Sequence, residues 1–100
     1  MFVSLVHSMS IHSSGSLTED KPVPLSLPSA TAVCTVAGTI LFDQKEETTV
    51  NISVGNTIWS QAVPPSGKIV FQTICIGAPT LLVTGFVGGA SYTYTATKLR

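Results

Sequence analysis

Few side chains in this 100-residue chain could do chemistry. General acid and base catalysis would have to come from five carboxylates, Glu19, Asp20, Asp43, Glu46 and Glu47. That chemistry needs two titratable groups facing each other across a cleft. All five stand in polar stretches beside lysine, where carboxylates serve as solvated turn charges. The only imidazoles, His7 and His12, are five positions apart, and on one strand that spacing puts them on opposite faces, unable to close on one metal ion. His7 is expected on the apolar face and His12 at the surface. Twelve serines are present, but GxSxG does not occur, and no glycine loop leads into a helix to cradle a phosphate. The chain is therefore expected to be no enzyme, with no cofactor and no metal.

The remaining candidates bind or bond. Cys34 and Cys75 show neither CxxC nor a Cys/His cluster of metal-ligand spacing. They are either a disulfide or two buried thiols, since free cysteine packs as a small hydrophobe. Asn51-Ile52-Ser53 matches an N-glycosylation acceptor, with Asn51 on the expected solvent face. Tyr92 and Tyr94 are the leading candidates for a binding platform, with Trp59 behind them. Sugar sites set aromatic faces beside hydroxyl and amide groups, and this chain has both. The competing reading buries the rings and leaves the hydroxyls at the rim; for Trp59 the core is the stronger expectation.

The elements that must position these residues read as strands. The stretch 2–12 alternates, with Val3, Leu5, His7, Met9 and Ile11 on one face, which makes it a first strand rather than a targeting segment. Residues 13–30 read as an irregular or edge segment: SSGSLTEDKP is turn-forming, and Pro24 and Pro28 limit any strand there to a short one at an edge. Residues 31–98 carry the main succession of strands. Cys34, Val36, Ile40 and Phe42 share one face, and Thr35 and Thr39 the other. Gly55-Asn56 is a two-residue hairpin turn that sets Val54 opposite Thr57 and Ile52 opposite Trp59. KIVFQTICI lacks clean alternation and is expected to be buried on both faces. Gly85 is a candidate bulge. Gly88-Gly89 is expected to fold the closing strand SYTYTATKLR back on TLLVTGFV.

Composition agrees with this. Charged residues are 10% of the chain, against ~25% in an ordinary soluble domain. Thirteen Thr, eleven Val and seven Ile supply the β-branched residues that suit pleated strands. The expected fold is one all-β domain over 1–100, an antiparallel two-sheet sandwich of seven or eight strands. It is jelly-roll-like, with an immunoglobulin-like sandwich as the alternative.

The formal net charge is zero, so no field draws the chain to nucleic acid or an anionic membrane, and no apolar run is long enough to span one. An uncharged surface and edges without guarding lysines suggest a homo-oligomer. The expected function is a non-enzymatic structural or attachment module, such as a capsid, tail or fibre component of a virus or phage. The expected location is a virion or the extracellular space, and the partners are further copies, other assembly proteins or a cell-surface glycan. The alternative is a lectin-like carbohydrate-binding domain.

Overall fold

The computed structural model describes residues 9–43 and 48–99. These residues form eight strands and no helix. They are β1 (Ser10–Leu17), β2 (Val23–Pro24), β3 (Cys34–Phe42), β4 (Thr49–Val54), β5 (Thr57–Ala62), β6 (Lys68–Cys75), β7 (Thr80–Thr84) and β8 (Ala90–Lys98). Two four-stranded antiparallel sheets pack face to face, one in the order β1-β8-β3-β6 and the other β2-β7-β4-β5. The fold is a β-sandwich. The pairing is nested: first strand with last, second with seventh, third with sixth, fourth with fifth. No other consecutive strands pair besides β4 and β5.

Alternation drives each sheet to one side of a shared core. Val36, Ile40 and Ile69 from one sheet and Val50, Ile52, Val54, Leu81 and Val83 from the other are completely buried. Each such side chain contributes about 1.5–3 kcal/mol by leaving water. Phe42 meets Phe86 edge-on, centroids 5.4 Å apart, which closes one end of the core. Among the described residues no buried side-chain polar atom is left without a partner.

The hairpin has the expected register. Val54 lies opposite Thr57, and Ile52 opposite Trp59. Gly55 takes φ 61°, the left-handed conformation that the first position of a II′ turn demands. Pro24 sits in a two-residue strand at a sheet edge, because proline can give no ladder amide.

Several expectations are corrected. The first strand does not end at residue 12 but continues to Leu17, so residues 13–17 are strand rather than turn. Residues 2–8 of the expected strand, His7 among them, lie outside the described residues. Gly85 follows the end of β7 and is not a bulge within it. β6 alternates regularly and buries one face only, with Ile69, Phe71 and Cys75 inward and Val70, Gln72 and Ile74 outward. Most consequentially, β8 does not fold back on β7. The Gly88-Gly89 bend carries the chain across to the other sheet, where β8 lies between β1 and β3. The reason is size matching: along β1 and β8 each of the four inward rungs pairs a large residue with a small one, Ile11 with Ala96, Tyr94 with Ser13, Tyr92 with Gly15 and Leu17 with Ala90.

Candidate functional site

Tyr92 and Tyr94 stand two apart on β8, so both rings point to the inner side, centroids 6.0 Å apart and planes 24° from parallel. Tyr94 is 3% exposed, and its hydroxyl accepts the Ser26 amide at 2.8 Å. That bond ties the segment after β2 to the opposite sheet. Tyr92 is half-buried, packed against the core and stacked on Tyr94. Any ligand meeting this pair meets Tyr92. Trp59 is also half-buried. It leans on the core from the edge strand β5 while its indole donates to Gln61 Oε1 at 3.1 Å. It is a lid on the core rather than part of the interior, because an edge strand has a neighbour on one side alone.

The other singled-out residues have structural surroundings. Asn51 is exposed, and its amide oxygen accepts the Ser60 hydroxyl at 2.6 Å across their shared rung. His12 is exposed, with Nδ1 2.8 Å from the Thr95 hydroxyl. The Glu19 carboxylate accepts the Gly85 amide at 3.1 Å and so holds the turn before β2 against the end of β7. Glu46 and Glu47 lie outside the described residues. Among the described residues no three His, Cys, Asp or Glu side chains gather as a metal site. No described helix is long and apolar enough to cross a membrane.

Cys34 and Cys75 are directly opposed across β3 and β6, and both are buried free thiols. Burial, and then the neighbouring Cys34, push the Cys75 thiol above its ordinary range.

The feature that sequence reading missed is a surface. The outer face of the β1-β8-β3-β6 sheet presents four positions from each strand. The strand register stacks them in rows across the sheet. One row is Ser10, Thr97, Thr35 and Ile74; the next is His12, Thr95, Ala37 and Gln72; then Ser14, Thr93, Thr39 and Val70; then Ser16, Ser91, Leu41 and Lys68. Among the described residues Lys68 is the one full charge on it. Val70 is 66% exposed, Ile74 61% and Leu41 48%, so the β3–β6 half carries apolar side chains set among threonines. Each strand's outward residues are visible as alternation, but nothing in the sequence says which strands lie side by side.

The β6 edge borders this face. The Phe42 amide donates to the Gly67 carbonyl at 2.8 Å, so by alternation Val70, Gln72 and Ile74 turn their amides away from β3. On the same side of the sandwich, Thr57 of β5 and Thr73 of β6 bond hydroxyl to hydroxyl at 2.7 Å, bringing the edges of both sheets together.

Comparison with known proteins returns no family model that matches the chain and no curated protein that matches it.

Proposed function

We propose that this chain is a non-enzymatic structural or attachment module that assembles through the outer face and β6 edge of the β1-β8-β3-β6 sheet. The observation that carries the reading is the composition of that face: four strands wide, one cation, and exposed Leu41, Val70 and Ile74 among threonines. Edge strands that stay solitary are guarded by lysine, proline or a bulge. β6 has Lys68 at its start and then seven residues without a charge or a proline, in continuous register. A second copy placed along Ile69–Cys75 meets no charge to desolvate, Lys68 standing at the end of the strand, so burial of threonine methyls and aliphatic side chains is offset by little polar cost.

The nested strand order supports the jelly-roll form of the sandwich. Its first and second strands lie in different sheets, whereas an immunoglobulin-type sandwich sets them side by side. Jelly rolls serve as capsid and lectin domains. By that fold-level analogy the module belongs to a capsid, tail or fibre, in a virion or outside the cell. The test is Val70→Lys with Ile74→Lys, read by light scattering and by melting. Loss of the assembled mass with a folded protomer is the expected result; an unchanged mass overturns this interface.

A carbohydrate-binding role is the second reading. It is favoured by a shallow hollow of about 370 Å³ on the outer face, where Ser14, Thr39, Ser91 and Thr93 gather; the Tyr92 ring itself lies on the inner side of the sheet. Binding on a glycan array that Thr39→Val with Thr93→Val abolishes would support it.

A further inference from the structure

We propose that Cys34 and Cys75 are a thiol–disulfide exchange site, closing to an intrachain bond on reaction with a low-molecular-weight disulfide of the glutathione class.

Cys34 opens β3 and Cys75 ends β6, and the register sets them directly opposite each other. Both side chains point inward, so the two sulfurs share one face. Counting by twos from Phe42, whose amide bonds to Gly67, places Cys34–Cys75 among the hydrogen-bonded pairs. Such pairs hold their Cα atoms about 5.5 Å apart, inside the roughly 4.4–6.8 Å that a disulfide spans. Their β-carbons stand wider than in a relaxed bridge, and a strained bridge is readily reduced again. That favours a reversible bond over a permanent staple.

The two thiols differ in access. Cys34 is fully buried, its thiol directed at the Ala32 carbonyl 3.5 Å away. Cys75 is 6% exposed and lines a groove of about 300 Å³ with Gly55, Ile76 and Pro79. Cys75 is therefore the attacking sulfur and Cys34 the resolving one. Cys75 gives its proton to solvent and attacks one sulfur of the small disulfide. That S–S bond breaks, and its other half leaves as a thiolate that takes up a proton. Cys34 is then deprotonated and attacks Cys75 Sγ; the mixed S–S bond breaks and the second small thiol departs. Two protein thiols are oxidised, and one small disulfide is reduced to two thiols. Because the thiolate is the nucleophile and burial holds Cys75 protonated, the rate should climb about tenfold per pH unit between roughly pH 7 and 8.5.

The test incubates the reduced full chain with oxidised glutathione at about pH 8 and follows intact mass and melting. The expected product has lost two hydrogens, keeps no glutathione, melts at least about 4 °C higher and reverts with dithiothreitol. Cys34→Ala should stop with one glutathione on Cys75, and Cys75→Ala should stay unmodified. Cys34→Ser and Cys75→Ser repeat the test if either alanine variant fails to fold. Two thiols that survive while a guanidinium-unfolded control oxidises would overturn the proposal. So would a lasting glutathione adduct on the wild type, or a disulfide-linked dimer on a non-reducing gel.

Discussion

The Tyr92 hydroxyl lies over Gly15: a β-carbon built on Gly15 would stand 2.7 Å from Tyr92 Oη and 3.0 Å from Cζ. The two residues are rung partners in β1 and β8, and Tyr92 is held in turn by its stack on Tyr94. The missing side chain on β1 is the space that the ring on β8 occupies.

Gly15→Val should therefore destabilise the fold by about 1–3 kcal/mol through overpacking. Gly15→Val with Tyr92→Ser should recover part of that loss. Denaturant melts of the single and double variants give the coupling; strictly additive effects would show that the ring does not rest on this position.

Tyr94→Phe removes the one acceptor that the structure gives the Ser26 amide while leaving the ring in place. The expected cost is about 0.5–1.5 kcal/mol. Amide exchange at Ser26 should quicken while exchange in β3 is unchanged. A loss confined to neither, with Ser26 equally protected, would contradict the tether.

Trp59→Ala tests the lid. A fully buried tryptophan would cost about 3–5 kcal/mol on truncation. Half-burial against an edge strand should bring the loss to about 1–3 kcal/mol. A change within experimental error would mean that the indole does not cover the core.

These three sites show what was legible in the chain and what was not. The Gly55-Asn56 hairpin and its rung of Ile52 with Trp59 could be read directly, because a two-residue turn fixes register locally. The inward face of Cys34, Val36, Ile40 and Phe42 followed from alternation alone. The partner of β8 did not, because nested pairing joins residues more than seventy positions apart, and no local rule reports on that. Ser13 and Gly15 read as turn residues for the same reason: their smallness answers the tyrosines opposite, which sit at the far end of the chain. The outer face was invisible as a face until the strand order placed Thr39 beside both Val70 and Thr93.

Alkaline pH should weaken the reduced protein. Burial and the neighbouring Cys34 raise the Cys75 thiol in the folded state, whereas an unfolded thiol ionises near about 8.5. The folded state then binds more protons, so stability is intact below that pH and falls as pH rises toward the folded value. Thermal melts from about pH 7 to 10 should show the decline, and Cys75→Ala should flatten it. Parallel declines in the two proteins would remove the thiol as the cause.

If further copies of the chain cover the nearly uncharged face of the β1-β8-β3-β6 sheet, as proposed, the protein in solution must be an oligomer. Sedimentation equilibrium on the wild-type protein, from low to high micromolar concentration, addresses it most directly. The expected result is a defined multiple of the 10.4 kDa chain mass, shifted to a folded protomer by Val70→Lys with Ile74→Lys. A wild-type mass of one chain across the whole range would contradict it.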